Sequence, residues 1–462
     1  MPAWRGRDAP LLRRAGEDRD AARCADPGPA ARPGGRRRPA VIDYRRLAAL
    51  HEHWLDHPGY ALEPDFPREE YELRLARARE RMAAARLDAL VITSGAVGQW
   101  FTSALEPHEW HDRCPARTAW FILTPDGDHL YMTPTTAGEH FNTTRRTTWV
   151  THIRAIVERT TWPRHEIWDL AQMPALFADL GLDRSRLGFE LGDCMTLGLS
   201  VSDFLRLREL MPDAQLVDGS DVIRWLMSVH TPLEIERLRR ACEAGVWMHA
   251  QVPRLLRVGL TEREFLARMA AAFRERWGEG YSYRETGGWD VRNPGRGDAN
   301  FFHAVATDRV FQLGDLLFRA SSGVTYRGYY ADNDRLWHLG PPPDVVREWY
   351  RVTWECNRAM AEAIRPGHRC SDVYAACARV ERRHGFPRRE VGRIGHGLRN
   401  TGGLSVHPDN HTVLEPGMVI SVEPMFAAVH GFYDLEDQYL VTEMGREALH
   451  ELAPEELPVI AA

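Results

Sequence analysis

The residues best suited to chemistry lie between Gly395 and Tyr439. His396 and His407 come first, and Glu423 and Glu436 follow in the apolar runs VISVEPMF and FYDLEDQY. A carboxylate in an apolar strand is costly to bury without a partner. Imidazole with several carboxylates is a ligand set for Mn, Fe, Co or Zn. The two glutamates could equally form ion pairs with arginine side chains. The segment is therefore compatible with either a metal site or buried ion pairs.

A predicted hairpin and several helices precede this segment and must position it. The hairpin has LLF and the segment around Asp332 as its strands, with a turn near the Arg-Gly pair at 327–328. Thr231 and Thr261 each open a capping box, which predicts a helix start. Helices segregated from an antiparallel sheet are typical of an α+β domain, which we assign to residues 223–462.

Strand and helix patterns alternate before the hairpin. Residues 67–87 have the apolar spacing of a helix, and residues 88–94 follow as a buried strand. TAWFILTP and DHLYMTP form a predicted hairpin, and RLGFEL and AQLVDG are later strands. This alternation predicts an α/β domain over residues 41–222.

Residues 1–40 differ in composition from the rest of the chain. They hold ten arginines and five acidic residues, with many Ala, Pro and Gly. Such a segment buries too little apolar surface to order itself, so we predict a disordered tail. An arm that binds an anionic partner is the alternative.

The composition excludes several classes of function. All 59 basic residues are arginine, so a Schiff-base enzyme, which needs a lysine amine, is excluded. A P-loop nucleotide site is excluded for the same reason. The net charge of −6 gives no general attraction to nucleic acid or to an anionic membrane, and we expect neither as a partner.

The sequence is typical of a cytoplasmic protein. It contains no run of 18 apolar residues that would span a membrane, and its N-terminus lacks the apolar core of a signal peptide. The seven cysteines are scattered without a CxxC pair, as expected for reduced thiols. We therefore expect a cytoplasmic location.

Four motifs together resemble the pita-bread metallopeptidase and creatinase family. They are MSVHTPLEIERLRRA, GHG, LEPGMVISVEP and LEDQYLVTEMG. The family includes Xaa-Pro dipeptidase, aminopeptidase P, creatinase and ectoine hydrolase, and the resemblance covers nearly the whole chain after the tail. It implies a creatinase-type N-terminal domain at 41–222 and a pita-bread catalytic domain at 223–462.

The resemblance also implies a set of metal ligands. By motif position, Asp332, His396, Glu423 and Glu436 match four of the five residues that hold two divalent ions in metal-dependent members. The fifth position, an aspartate on the first arm of the hairpin, falls on Ser321. We therefore expect one divalent ion, Mn, Fe, Co or Zn, bound by the four remaining ligands.

Asp334 stands where the family usually has a small hydroxyl residue. Residues i and i+2 of a strand share a face, so Asp334 would lie beside Asp332. It either supplies part of the missing charge or pairs with Arg319 or Arg335, and we favour the ion pair.

Three residues receive catalytic roles from the resemblance. His303 and His407 match family histidines at the substrate site, where they would bind a carbonyl or stabilise the tetrahedral intermediate. Glu423 would be the general base that accepts a proton from the attacking water.

These assignments predict a hydrolase of C–N bonds, acting on an Xaa-Pro-type peptide or a small amide or amidine. The alternatives are a metal-free enzyme similar to creatinase or ectoine hydrolase, a lyase that acts on a small zwitterion like dimethylsulfoniopropionate, and a non-catalytic binding member. Family members with this N-terminal domain are often dimers, so we expect a homodimer. The polar, aromatic loop from Trp100 to His111 is the predicted partner contact.

Overall fold

The computed structural model describes most of the chain after residue 63. The described ranges are 64–104, 118–132, 144, 147–156, 170–283, 306–321, 323–386, 392–398, 404–428 and 430–461. The predicted tail at 1–40 lies outside them. Within these ranges, no helix is both long enough and apolar enough to cross a membrane.

The first half of the described chain is built on one mixed sheet of six strands. Its spatial order is β4-β3-β2-β1-β5-β6, and β2 runs antiparallel to both β1 and β3 while the other pairs are parallel. The strands are β1 (Ala89–Ile92), β2 (Trp120–Leu123), β3 (Asp128–Met132), β4 (His152–Ala155), β5 (Arg186–Phe189) and β6 (Gln215–Asp218). The helices are α1 (Arg68–Ala84), α2 (Gly95–Thr102), α3 (Met173–Asp179), α4 (Val201–Leu210) and α5 (Ser220–Ser228), with a 3₁₀ turn at Leu170–Gln172.

Helices cover both faces of this sheet, which explains its continuous apolar strands. In β1, Leu90 and Ile92 pack against residues of α1 and α5, whereas Ala89 and Val91 pack against residues of α3 and α4. All four side chains are buried. A strand that is buried on both faces needs no polar alternation. The α/β class predicted for the first domain is confirmed.

The second half of the described chain combines four helices with small, mostly antiparallel sheets. The helices are α6 (Pro232–Leu255), α7 (Glu262–Arg276), α8 (Asp344–Ala363) and α9 (Cys370–His384). The strands are β7 (Tyr281–Tyr283), β8 (Leu316–Ala320), β9 (Val324–Tyr326), β10 (Tyr329–Tyr330), β11 (Asp334–Leu339), β12 (Gly395–Gly397), β13 (Val419–Val422), β14 (Met425–Ala428), β15 (Gly431–Asp434), β16 (Asp437–Thr442), β17 (Gly445–Ala448) and β18 (Val459–Ile460).

These strands form sheets ordered β18-β11-β8, β10-β9-β7, β12-β13-β16-β17 and β14-β15. Both predicted capping boxes are present, so α6 and α7 begin after Thr231 and Thr261. The α+β class is confirmed. The predicted domain boundary between residues 222 and 223 falls inside α5, and the division of the chain at that point stays a prediction.

The predicted hairpin is a longer structure with a smaller hairpin at its tip. Strands β8 and β11 pair antiparallel with Asp334 opposite Ala320, and β9 and β10 continue beyond them. Arg327 and Gly328 form the tip and both have positive φ, 47° and 80°, as a tight two-residue turn requires. Asp332 lies in the short connection just before β11.

Trp100 is not part of a surface loop, contrary to the sequence prediction. It lies inside α2 and is buried, with its indole N–H donating to Glu234 Oε1 at 2.6 Å. The polar residues that follow it suggested a loop, but a tertiary contact buries this indole. The rest of the predicted partner contact, from residue 105 onward, lies outside the described residues, so the homodimer stays a prediction.

A buried arginine of α1 joins the two halves of the chain. Arg74 Nε lies 2.7 Å from Glu70 Oε1, and Arg74 NH2 lies 3.4 Å from Glu234 Oε1. The three side chains are at most 2% exposed. The guanidinium also donates to the carbonyl of Trp100 at 2.7 Å and lies 4.7 Å from the ring centroids of Trp100 and Phe66. Charges this deeply buried are stable only as a group.

Glu234 extends this network to the hairpin. It is the third residue of α6 and accepts the Thr231 N–H of its capping box at 3.0 Å. Its Oε1 also accepts the hydroxyl of Tyr329 at 2.8 Å, at the start of β10 and three residues before Asp332. One carboxylate therefore caps a helix, faces the arginine of α1 and holds the hairpin.

Replacing Arg74 tests how much this network stabilises the fold. We expect Arg74→Met to lower the free energy of unfolding by about 3–5 kcal/mol, because it leaves Glu70 and Glu234 buried without their cation. Urea denaturation measures the change. The matched control on the same helix is Arg68→Met, since the Arg68–Glu72 pair is mostly exposed. The control should cost about 0–1 kcal/mol, and equal losses in the two variants would contradict the prediction.

Candidate metal centre

His396 is held on the short strand β12 with one ring nitrogen aimed at carboxylates. Residues Gly395–Gly397 pair antiparallel with β13, and His396 stands opposite Ser421. A Cβ at Gly395 would lie 2.4 Å from the Ser421 carbonyl oxygen, so only glycine permits this approach. His396 Nδ1 lies 2.8 Å from the carbonyl oxygen of Gly397, which can only accept. Nδ1 therefore donates its proton there, and in the neutral ring Nε2 carries a lone pair.

Three carboxylates surround that nitrogen. Distances from His396 Nε2 are 3.3 Å to Asp332 Oδ2, 3.6 Å to Glu436 Oε1 and 3.7 Å to Glu423 Oε1. Asp332, Glu423 and Glu436 are buried, and with His396 they form what we call the carboxylate cluster.

Separate backbone contacts fix each carboxylate. The Asp332 N–H donates to the side-chain oxygen of Gln438 at 3.1 Å. Glu423 follows β13 and donates its N–H to the carbonyl of Ile394 at 3.0 Å. Glu436 forms an isolated bridge with Asp334, with N···O distances of 3.2 and 3.3 Å. Three different strand ends thus converge on one imidazole.

The cluster is electrostatically unfavourable without a cation. Burial raises the pKa of Asp332. Burial, and then the neighbouring carboxylates, raise the pKa of Glu436 well above its usual range. Within the described residues, Glu436 Oε1 is buried without a hydrogen-bond partner. A cation bound between these carboxylates and the imidazole nitrogen would offset this electrostatic cost.

The donor set fits one divalent ion. Asp332, His396 and Glu436 each offer a ligand atom, and these atoms lie within 4.8 Å of one another. Donors about 2 Å from a common ion have separations of this size. Glu423 Oε1 lies 3.7 Å from His396 Nε2 and is also 3.4 Å from Arg393 NH2. The structure thus brings together the four predicted ligands.

The position expected to hold a further carboxylate ligand is occupied by a hydrogen-bonded network. Ser321 is fully buried, and its hydroxyl donates to the side-chain oxygen of Asn333 and accepts the Asn333 N–H at 2.9 Å. His249 Nε2 donates to the carbonyl of Asn333 at 2.8 Å. A Cβ at Gly245 would lie 3.0–3.3 Å from Ala331, Asn333 and Ser321 atoms, so α6 closes this side tightly. These polar partners are neutral and do not replace an aspartate.

Sequence reasoning missed His249 and Asn333. His249 follows Ala241, Ala244 and Met248 on the buried face of α6, and that spacing is the only signal in the sequence. Burial, then the charges of Arg319 and Arg335, lower the pKa of His249 well below its usual range. The imidazole is therefore neutral and serves as a hydrogen-bonding partner.

Asp334 is buried next to the carboxylate cluster. Of the two arginines proposed as its partner, Arg335 forms its ion pair with Asp437 at 2.9 Å. Arg335 also donates to the backbone carbonyls of Asp334 and Glu436, each at 2.8 Å. Arg335 therefore holds the Asp334 backbone rather than neutralising its carboxylate.

His407 lies on the chain segment that pairs with the segment carrying His396. Hydrogen bonds from Ile394 N to Val406 O (3.0 Å) and from Val406 N to Gly395 O (2.8 Å) join the two segments. The Asp409 N–H donates to His407 Nδ1 at 3.2 Å, so Nε2 carries the proton of the neutral ring. The ring is about one-third exposed and can donate to a bound molecule. His303 lies outside the described residues.

Comparison with known proteins gives two matches to family descriptions. Residues 236–443 match Metallopeptidase family M24, and residues 74–229 match the Creatinase/Prolidase N-terminal domain. The two matched ranges lie in the second and first halves of the fold described above.

Individual proteins are similar over most of the chain. A probable dipeptidase PepE of Mycobacterium tuberculosis is 30% identical over 366 residues, which is 75% of this chain and 93% of that protein. A creatinase of Bacillus sp. is 26% identical over 85% of this chain and 93% of that protein. The crystal structure of dipeptidase PepE from Mycobacterium ulcerans superposes with a TM-score of 0.70 at 25% identity, and covers 86% of this chain and all of that one.

The tight approach at Gly395 can be tested by adding one methyl group. We expect Gly395→Ala to cost about 1–3 kcal/mol of unfolding free energy, because its Cβ would meet backbone that cannot move away. Gly445→Ala is the matched control in strand β17 of the same sheet, where a Cβ meets nothing within 4 Å. Chemical denaturation compares the two. A Gly395→Ala protein as stable as the control would show that β12 can shift.

Proposed function

Because the chain belongs to metallopeptidase family M24 and its first half matches the Creatinase/Prolidase N-terminal domain, we propose that it hydrolyses Xaa-Pro-type dipeptides. The carboxylate cluster is the main structural observation that supports this proposal. The chain is a hydrolase of the Xaa-Pro dipeptidase type by family. We further propose that the enzyme uses one divalent ion and that the residues around it have the separate roles described below.

Asp332, His396, Glu423 and Glu436 would hold the ion. The side chains of Asp332 and Glu436 are only 11% and 2% exposed, and His396 presents a lone pair. When bound, the ion supplies Lewis-acid chemistry, which polarises a carbonyl and makes a water more acidic. The neutral Ser321–Asn333–His249 network occupies the remaining side of the cluster, which supports one ion rather than two.

Glu423 is the residue best placed to move a proton. It is not one of the three residues whose ligand atoms lie within 4.8 Å of one another, and its Oε1 lies 3.4 Å from NH2 of the half-exposed Arg393. We propose that it takes a proton from the attacking water and returns it to the leaving nitrogen as the C–N bond breaks. That nitrogen leaves as a secondary amine when the second residue is proline, so its protonation is required.

His407 would orient the scissile carbonyl. In its neutral form, Nε2–H is a donor, and the ring is partly exposed. A donor aimed at the carbonyl oxygen stabilises the charge that develops there as water adds. The bond before proline has no N–H, so recognition depends on the carbonyl and on groups beyond the scissile bond.

Hydrolysis of a small amide or amidine is the second candidate. The similarity to a creatinase over 85% of the chain favours it, as does Ser321 at the position of a family aspartate. Parallel assays with Xaa-Pro dipeptides and with creatine separate the two substrates. Turnover of creatine alone would favour the second candidate.

Metal content tests the number of ions. We expect about one divalent ion per chain by elemental analysis of protein purified without chelator. His396→Ala should lower the content strongly, because it removes the nitrogen donor. Ser321→Asp should leave it near one, because Asn333 and His249 still fill that side. Two ions per wild-type chain would contradict the single-ion proposal, and an active enzyme free of metal would contradict metal use.

Replacing Glu423 tests the proton transfer. Glu423→Gln keeps the shape but removes the base, so we expect kcat for an Xaa-Pro dipeptide to fall about 10²–10⁴-fold. Glu443→Gln, an exposed glutamate in the turn between β16 and β17, is the control and should be unchanged. Steady-state kinetics on metal-saturated samples make the comparison. A Glu423→Gln enzyme with wild-type kcat would rule out the proposed role.

A further inference from the structure

Asp332 lies outside any strand, in the connection just before β11. The residues on either side of it are bound to different segments. The Ala331 N–H donates to the carbonyl of Val324 at 3.0 Å, and the Asp334 N–H donates to the carbonyl of Glu436 at 3.2 Å. The pairing of β8 with β11 begins only at Asp334, so the buried peptide N–H of Asp332 needs a partner of its own.

The side chain of Gln438 on β16 is that partner. Its Oε1 accepts the Asp332 N–H at 3.1 Å, and the Cys242 thiol donates to the same oxygen at 2.9 Å. Because a peptide N–H can only donate, the Gln438 amide must turn its oxygen towards Asp332. Gln438 is fully buried, so bulk water does not compete for this contact. One glutamine therefore joins the sheet, α6 and the connection that carries Asp332.

Gln438 and His396 reach Asp332 from the same face of the sheet. His396 stands opposite Ser421, and Ser421 stands opposite Gln438, across the paired strands β12, β13 and β16. Side chains of directly opposite residues share one face. At one end of this row, His396 Nε2 lies 3.3 Å from the Asp332 carboxylate, and at the other end Gln438 accepts the Asp332 N–H. The row thus contacts both the carboxylate and the backbone of one ligand residue.

The backbone of Gln438 is itself anchored on the far side of the strand. Its N–H donates to His450 Nε2 at 3.0 Å, and its carbonyl accepts the Leu449 N–H at 3.0 Å. The His450 side chain is only 1% exposed. Because these contacts fix the backbone, the amide oxygen has little freedom to follow a shift of Asp332.

A glutamine at this buried position has a cost. Its Nε2 is buried and has no hydrogen-bond partner within the described ranges. A donor that is buried without a partner destabilises a fold. An apolar side chain would avoid this cost, but it would leave the Asp332 N–H without an acceptor. The amide oxygen is therefore the part of the side chain that this position requires.

We infer that Gln438 is a positioning residue that holds Asp332 in the geometry needed to bind the divalent ion. The inference rests on the proposed function, because it takes Asp332 to be a ligand. Gln438 acts through Asp332 and has no part in the cleavage of the C–N bond. Residues that orient a metal ligand determine how tightly the metal is bound.

Titration with Co²⁺ tests this inference, because the visible spectrum of bound Co²⁺ depends on its coordination geometry. Gln438→Met keeps the length of the side chain and removes the acceptor. We expect it to raise the Kd for Co²⁺ about 10–100-fold and to change the spectrum, because Asp332 is no longer held. Gln438→Asn is a second variant, for use if Gln438→Met does not fold. Its amide is one methylene too short to reach Asp332, so it should also weaken binding.

Gln251→Met is the matched control. Gln251 is a second buried glutamine, on α6, and its side chain donates to the carbonyl of Trp247 at 3.1 Å. The substitution removes a buried amide of the same size without contact to Asp332. It should therefore keep the wild-type Kd and spectrum, even if thermal denaturation shows that both glutamine variants have lost stability.

The outcomes separate this inference from the proposed function. Wild-type Kd and spectrum in the Gln438 variants would overturn it, as would an equal loss of affinity in Gln251→Met. A wild type that binds Co²⁺ but cleaves no Xaa-Pro dipeptide would contradict the proposed function alone. If the wild type binds no Co²⁺, metal-free crystal structures decide the inference. In Gln438→Met, the distance from Asp332 Oδ2 to His396 Nε2 should then increase by more than about 0.5 Å, and an unchanged distance overturns the inference.

Discussion

Carboxylates buried against one another are the constraint on which the rest of this structure depends. Asp332, Glu423 and Glu436 repel each other, and burial makes that repulsion expensive because little water screens it. A protein tolerates such a group only if rigid elements prevent it from relaxing apart. Here β12, β13, β16 and β11 provide that rigidity, through backbone hydrogen bonds on both sides of His396. Because the carboxylates are held close together, the arrangement favours binding of a cation. In a flexible site the carboxylates would move apart, and the cation would bind less tightly.

The same constraint explains the side of the cluster that lacks a carboxylate. Removing a charge from a buried position leaves space and unsatisfied polar groups, and both must be compensated. Ser321, Asn333 and His249 compensate through hydrogen bonds that carry no net charge, and Gly245 lets α6 approach closely. Because Asn333 and His249 fill this side, we expect that restoring one aspartate does not recreate the space for a second ion. The difference from the family pattern at Ser321 therefore involves the surrounding Asn333, His249 and Gly245, and not only the missing aspartate.

Local chemistry made part of this fold predictable from sequence. The capping boxes at Thr231 and Thr261 and the turn at Arg327-Gly328 each depend on neighbours in the chain, and each is present as predicted. Contacts between distant segments were not predictable in the same way. Trp100 appeared to belong to a polar loop because its buried partner, Glu234, lies more than a hundred residues away. The position of His249 beside Asn333 likewise depends on which segments meet.

Glu234 has a consequence for how such a chain can be recombined. Its carboxylate serves the cap of α6, the tyrosine of the hairpin and the arginine of α1 at once. The two halves are therefore not interchangeable modules, although each matches its own family description. A chimera that joins this catalytic half to another leading domain must also inherit an arginine at the position of Arg74. Without that arginine, we expect the chimera to be destabilised at the hairpin that carries Asp332, because Glu234 also holds Tyr329 of this hairpin. The junction between the two halves would be less affected.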